Sequence, residues 1–444
     1  MARNAPTGRR LHTAVPQRHG WIRRLGKTFD RSGASWSSIV LAGDRLLIES
    51  SGGSVFIEIH GQGASPDVDE PWLRIGTLHA RYGGAGEKDG SDSSDPWLDS
   101  ARLALEKSAE IIPRNLSGYG SLVYDTGDRP ALLRKMFPFL TVERARRAGE
   151  SSEEVLVRTV SRCNQRCPFC SAPSHPEPEP DILVASLRAA SSLLRRPMIS
   201  ITGGEPTLRR DFPAIVDAAL RLPFSGVQVQ TNAVAFARRL DATRWKPSRK
   251  LSFFVSLHAA RSELYDRLTG SSGMMPAALK GLERLLESGH RVMVNVVVCS
   301  VNLDHLGELV DEIARRYAGD NRPEIHFSCL ICPPWREGAS DYLVRYTDLV
   351  PAMRQAAERA RGAGLSVQPL WASSHASPPA CLLGGVESGD VTLYEPSEMD
   401  TGYERGDRPW VKAERCRRCS HDRYCLGVPR AYAERFGLQE LRPF

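Results

Sequence analysis

"VLVRTVSRCNQRCPFC", Val155 to Cys170, carries an alternating apolar run directly into three cysteines spaced C-x-x-x-C-x-x-C. The apolar half reads as a β-strand, since a period of two with β-branched residues suits a pleated surface. The cysteine half reads as the loop that follows it. The same grammar then repeats: "MISITGG", "GVQVQTN", "LSFFVSLHA", "RVMVNVVVCS" and "EIHFSCLI" are strand-like, and helical segments such as "ILVASLRAASSLLRR", "FPAIVDAALRL", "MPAALKGLERLLESG" and "LDHLGELVDEIARRY" are interleaved with them. Parallel strands require crossovers, and helices supply them. The expectation is an α/β fold with a partial (β/α)6 barrel, whose active site lies at the C-terminal ends of the strands. The cysteine loop follows the first strand and falls on that rim.

Composition sets the outer limits. The chain has 444 residues, 41% of them hydrophobic, which is enough for two or three domains with real cores. No apolar run is long enough to span a bilayer, and the N-terminal "MARNAPTGRRLHTAVPQRHG" has basic residues with no apolar segment behind them. A cytoplasmic protein with no membrane partner is expected. In that compartment the ten cysteines stay reduced, which favours metal ligation or redox chemistry over disulfides. The formal charge of +7 is concentrated near the N-terminus, in Arg9, Arg10, Arg18, Arg23, Arg24 and Lys27. That segment reads as a solvated arm. No aromatic residues alternate with its charges, so a nucleic-acid partner is not expected.

Three regions follow from the pattern. Residues 1–150 read as a β-rich accessory domain, with strands in "SIVLAG", "DRLLIES", "SVFIEIHG" and "LRIGTLHARY" and a helix in "WLDSARLALEKSAEIIP". Residues 151–335 hold the strand–loop–helix alternation. From 336 to 444 the alternation fades and cysteine returns.

Three thiolates from one loop can cap three corners of a four-iron cubane and leave the fourth iron open to a substrate or cofactor. The alternative is zinc, bound by Cys163, Cys167, Cys170 and His175. The spacing resembles the radical S-adenosylmethionine (SAM) superfamily, whose signature is C-x-x-x-C-x-aromatic-C, here Cys163, Cys167, Phe169 and Cys170. The resemblance implies a [4Fe-4S] cluster with an open iron that chelates SAM, and Phe169 near the adenine. It further implies one-electron cleavage of SAM to a 5′-deoxyadenosyl radical that abstracts hydrogen from a substrate. "ITGGEPTL" follows the second strand and is similar to the superfamily's methionine-binding turn. On that likeness Gly203, Gly204 and Pro206 shape the turn and Glu205 receives the ammonium. "QTNA" and "SLHA" resemble positions that bond the ribose and carboxylate, which makes Thr231, Asn232, Ser256 and His258 candidates.

Near the end, "CRRCSHDRYC" places Cys416, Cys419 and Cys425 as C-x-x-C-x-x-x-x-x-C, and Cys381 opens a segment whose "VTLYE" reads as a hairpin arm. Four thiols can cap a second cubane or a zinc ion. The segment is similar to the SPASM and twitch extensions that follow radical SAM barrels, which implies a second, auxiliary [4Fe-4S] cluster. It lacks a cysteine around Pro396 to Met399 and after Cys425, so only one such cluster can be capped. Cys299 reads as a core residue, and Cys329 and Cys332 read as packing.

The expected function is radical modification of a peptide or protein, with an external electron donor such as flavodoxin or ferredoxin. Two alternatives stand beside it: radical rearrangement or oxidation of a small metabolite, and a non-catalytic iron–sulfur redox sensor or scaffold. The intact "GGEP" argues against the scaffold.

Overall fold

The computed structural model describes residues 11–12, 20–33, 38–42, 45–50, 53–58, 122–124, 133, 137, 139–147, 150–333, 336–370, 376–384, 393–394, 410–422 and 425–444. The chain divides into two compact units, one taking in 1–137 and 179–195 and the other 138–178 and 196–444.

The first unit contains strands β1 (Leu11–His12), β2 (Ser38–Ala42), β3 (Arg45–Ser50), β4 (Gly53–Glu58) and β5 (Leu122–Tyr124), and helices α1 (Gly20–Arg31) and α2 (Pro180–Leu193). Its sheet runs β1-β5-β2-β3-β4, antiparallel throughout. The pairs Ala42↔Arg45 and Ser50↔Gly53 close β2–β3 and β3–β4 as tight hairpins, so three of the four expected strands form. The fourth, "LRIGTLHARY", and the helix at "WLDSARLALEKSAEIIP" lie outside the described residues.

The second unit is built on an eight-stranded sheet. Strands β6 (Leu140–Arg147), β7 (Glu150–Val160), β8 (Met198–Gly203), β9 (Gly226–Thr231), β10 (Leu251–Ser256), β11 (Arg291–Val298), β12 (Glu324–Cys329) and β13 (Leu393–Tyr394) stand in the order β12-β11-β10-β9-β8-β7-β6-β13. From β7 to β12 every neighbouring pair is parallel, and chain order equals spatial order. That winding is an open, partial barrel, with all the loops that follow these strands on one rim. Its helices are α3 (Phe212–Arg221), α4 (Ser262–Thr269), α5 (Met275–Glu287), α6 (Leu306–Arg316), α7 (Tyr346–Gly362) and α8 (Arg430–Phe436). A short pair, β14 (Trp410–Val411) with β15 (Val428–Pro429), completes it.

The two faces of the parallel strands differ because side chains alternate. Val155, Val157, Ile199, Ile201, Val227, Val229, Phe253, Val255, Val294, Val296, Ile325 and Phe327 are fully buried on one face. The other face is polar and cross-linked between strands. Ser200 donates to Glu154 at 2.6 Å, Thr202 to Gln230 at 2.9 Å and Ser328 to Asn295 at 2.8 Å.

Several elements were not anticipated, among them β1, α1 and β5 in the first unit and β14, β15 and α8 near the C-terminus; α1 takes Arg23, Arg24 and Lys27 of the expected solvated arm into a helix whose Leu25 and Phe29 are fully buried. β6 extends the sheet ahead of Ser151, with Leu140↔Val157 in register. Leu393–Tyr394 of the expected hairpin instead pairs antiparallel with Arg146 and Ala145 of β6. α4 is short and lies between a strand and a Gly/Ser turn. α7 fills a stretch read as irregular, and Pro351 within it breaks the simple helical signal.

Glu143 on β6 is buried beside Arg158 of β7, and desolvation pushes its carboxyl up to about 7 although Arg158 opposes the shift. A group with its folded pKa raised contributes stability below its unfolded pKa, and that contribution fades as pH rises through the folded value. Between about pH 4.5 and 8, urea titrations of the wild type should therefore lose about 3 kcal/mol relative to Glu143→Gln. Parallel pH profiles of the two proteins would refute the assignment.

Candidate functional site

The cysteine loop leaves β7 at Ser161 and is closed at its base by polar contacts. The Ser161 hydroxyl donates to the His175 carbonyl at 2.5 Å and accepts from the His175 N–H at 2.9 Å. Arg209, 5% exposed, donates to the carbonyls of Thr159 and Pro178, both at 3.0 Å, and forks onto Asp211 at 2.7 and 2.8 Å. Glu177 joins Arg209 to Arg162, each at 3.2 Å. One buried guanidinium thus pins both ends of the loop.

Within the loop, Cys163, Cys167 and Cys170 are all free thiols. Burial pushes Cys163 up to about 11 and Cys167 up to about 12, so thiolates there need a positive partner such as iron. The Gln165 N–H donates to the Cys163 sulfur at 3.4 Å. The opposite side of the loop is tied to α4. Gln165 donates to the Tyr265 hydroxyl at 2.7 Å, and the Arg166 N–H to the Thr269 carbonyl at 2.7 Å. Gly270, at φ +55°, has the Arg166 carbonyl 2.5 Å from where a Cβ would stand.

The turn after β8 comes to the same place. The Gly204 N–H donates to the Val160 carbonyl at 2.5 Å and the Glu205 N–H to the Arg162 carbonyl at 3.1 Å. A Cβ on Gly203 or Gly204 would strike backbone of Val160, Ser161 or Arg162. The two glycines are therefore needed for contact between the ends of β7 and β8, whatever they do for a cofactor.

Glu205 is 2% exposed. Its Oε1 accepts from the Thr207 hydroxyl at 2.5 Å, the Thr207 N–H at 3.1 Å and the Thr231 hydroxyl at 2.7 Å, and its Oε2 accepts from the Asn232 N–H at 2.7 Å. Burial pushes the carboxyl up while these four bonds draw it down. Asn232 continues the network, donating from Nδ2 to Asn164 of the cysteine loop at 2.7 Å and accepting from the Val234 N–H at 3.1 Å. Ala233 beside it holds a left-handed φ of 61° and packs its carbonyl against Gly281 of α5. Thr231 and Asn232 thus spend their hydrogen bonds inside the protein, as does most of the Glu205 carboxylate.

His258 is buried, and desolvation brings it down to about 4, so it is neutral. Its Nδ1 accepts from the Val297 N–H at 3.3 Å, which puts the ring proton on Nε2. Phe169 meets His258 edge-on at 5.6 Å and Tyr342 at 6.2 Å. Ser256 stands on the half-exposed polar face, in register with Asn295. Asn164, Gln165, Tyr265, Arg209 and Tyr342 were not anticipated, since nothing in their linear spacing marks them.

In the C-terminal region Cys381, Cys416, Cys419 and Cys425 line one pocket, with Lys412, His421 and Asp422 at its wall. Cys381 sits on the turn Ala380–Leu382 and Cys416 on the turn Glu414–Arg418. The Cys419 N–H donates to the Cys416 carbonyl at 2.9 Å, and the Gly427 N–H to the Cys425 sulfur at 3.3 Å. Among the described residues no three His, Cys, Asp or Glu side chains are set to hold a single metal ion. The four thiols surround a space instead. Cys299 and Cys329 are buried, in keeping with packing, and Cys332 is half-buried.

The site is thus a three-thiol loop on the C-terminal rim of a parallel open barrel. Residues 157–313 match the Radical SAM superfamily, so the central part of the chain is a radical SAM domain. The GTP 3′,8-cyclase of Pasteurella multocida is 31% identical over 145 residues, covering 31% of this chain and 42% of that protein. A probable GTP 3′,8-cyclase of Aeropyrum pernix is 30% identical over 161 residues, covering 34% of this chain and 44% of that one. The chain thus spans less than half the length of these two relatives. Among solved structures, Streptococcus suis SuiB bound to S-adenosylmethionine is 15% identical, covering 80% of this chain and 83% of that chain with a TM-score of 0.45. A radical SAM methyltransferase from Sphaerobacter thermophilus is 18% identical, covering 54% and 79%, with a TM-score of 0.37.

Glu205→Gln would turn an amide N–H₂ toward the Asn232 N–H or the threonine hydroxyls. Metal-free protein should lose about 2 kcal/mol or more, with faster hydrogen exchange at residues 231–234. A residue that met only the cofactor would leave the metal-free protein unchanged in both measurements.

Proposed function

We propose that the protein is a radical SAM enzyme that cleaves S-adenosylmethionine reductively and removes a hydrogen atom from a bound substrate. The observation that carries this reading is the set of three free thiols in one pinned loop, on the rim of a radical SAM domain. The donor set fits a [4Fe-4S] cluster with an open corner: three soft ligands lie within eight residues, from Cys163 to Cys170. When bound, such a cluster supplies the single electron that cleaves the sulfonium. Cys163, Cys167 and Cys170 would hold it. The Gly203–Pro206 turn would offer backbone groups to the methionine end of SAM, and any polar contact from Thr231, Asn232, Ser256 or His258 would be secondary to their roles in the protein. Phe169, held between His258 and Tyr342, would present a fixed apolar surface and exclude water. The polar inner face, with Gln228, Gln230, Ser256 and Asn295, would line the substrate space.

The substrate we favour is a peptide or protein, with residues 1–150 as its docking domain, residues 151–335 as the catalytic part and an external reductant such as flavodoxin or ferredoxin. The C-terminal pocket supports this through Cys381, Cys416, Cys419 and Cys425 as ligands of a second, auxiliary cluster in residues 336–444. A second reading, radical chemistry on a small molecule such as a nucleotide, is favoured by the names of the GTP 3′,8-cyclase relatives.

Reconstituted protein given SAM and dithionite should form 5′-deoxyadenosine, and the triple Cys163→Ala/Cys167→Ala/Cys170→Ala variant should form none. Cleavage by that variant would sink the assignment. Incubation with GTP, followed by product analysis, separates the two substrate readings.

The wild type should bind about eight irons, falling to about four in Cys416→Ala/Cys419→Ala, which should keep part of its SAM cleavage. About four irons with one zinc in the wild type would replace the auxiliary cluster by a structural zinc site.

A further inference from the structure

The loop that carries the three thiols is also gripped from the far end of the parallel run. Arg336 follows β12, the last parallel strand, yet it reaches the loop that follows β7, the first. Its Nε donates to the Pro168 carbonyl at 3.1 Å, and its Nη2 donates to the Cys167 carbonyl. A planar guanidinium can hold two adjacent acceptors at once, whereas an ammonium offers one point charge. The same segment brings Tyr342 against Phe169. It is itself anchored by the Ser300 N–H, which donates to the Tyr342 carbonyl at 2.9 Å, and by Arg435, which donates to the Ser340 carbonyl at 2.8 Å. Arg336 therefore sits on a braced support and not on a free tether.

We propose that Arg336 is a positioning residue for the iron–sulfur cluster, clasping the loop at Cys167 and Pro168 and placing a fixed positive charge beside a centre that three thiolates make negative. The inference rests on the reading of Cys163, Cys167 and Cys170 as cluster ligands. Two physical effects are combined in one side chain, and they separate by substitution. The fork orders the loop before any cluster binds. The charge favours the reduced state of the cluster, which is more negative by one electron, because Coulomb attraction in a partly buried site is weakly screened.

The test compares full-length wild type with Arg336→Lys, which keeps the charge and loses the fork, and Arg336→Met, which loses both. Hydrogen exchange of the 163–170 segment is measured on metal-free protein. The ratio of reduced to oxidised cluster is measured by electron paramagnetic resonance on reconstituted protein of matched iron content at one fixed poise. Arg336→Met should show faster exchange and a ratio about tenfold lower, equivalent to about 59 mV for a one-electron couple. Arg336→Lys should show the faster exchange with a ratio near that of the wild type. A Met variant that matches the wild type in both readouts overturns the proposal, and equal loss of ratio in Lys and Met variants overturns its charge component. If the wild type takes up no iron, the cluster reading itself fails, and the exchange measurement still decides the clasp.

Discussion

The buried carboxylate of Glu205 is the point on which the rim of this domain is assembled. A carboxylate at 2% exposure is costly unless its lone pairs are filled, and here four donors fill them. Those donors come from Thr207 of its own turn and from Thr231 and Asn232 at the end of β9. Asn232 then passes the constraint to Asn164, next to Cys163. Three loops from three strands are thereby fixed to one another by a single charge. The glycines complete the arrangement, because only residues without Cβ allow the β8 end to lie against Val160 and Arg162.

The sheet converts this local order into a site. Sequential parallel strands put every strand-to-helix loop on one edge, so the loop after β7, the turn after β8 and the loop after β9 are neighbours without long excursions. Alternation then leaves one face apolar and one face lined with Ser, Thr, Gln and Asn. The apolar face holds the unit together, and the polar face is cross-linked from strand to strand.

The two cysteine groups are built on different principles. Cys163, Cys167 and Cys170 share one loop, and the surrounding residues act to hold that loop still. Cys381, Cys416, Cys419 and Cys425 come from separate turns, and their pocket exists only because the C-terminal segments are packed together. Tyr432 of α8 accepts from the Tyr346 N–H at 2.9 Å and stacks on its ring at 4.4 Å, which joins the end of the chain to the start of α7. A cluster in the first site would need a prepared loop, whereas one in the second would also cross-link a domain.

Much of this was legible in the sequence. Period-two apolar runs separated by amphipathic helices dictated six parallel strands and their order, because the hydrophobic pattern is local and strong. The thiol spacing and "GGEP" were legible for the same reason. What the sequence could not reveal were partners distant along the chain. Glu205 reads in the sequence as a partner for an ammonium, and the fold adds Thr207, Thr231 and Asn232 around it, which no linear spacing marks. His258 reads as a polar contact, and the fold adds that it is buried, neutral and edge-on to Phe169. β6, β13 and the grip of Arg336 on Cys167 depend on which segments meet in space, a matter of sheet curvature and packing. The sequence by itself determined the six parallel strands, the loop and the thiols; only the tertiary structure decided which charges are buried, because burial depends on segments distant along the chain.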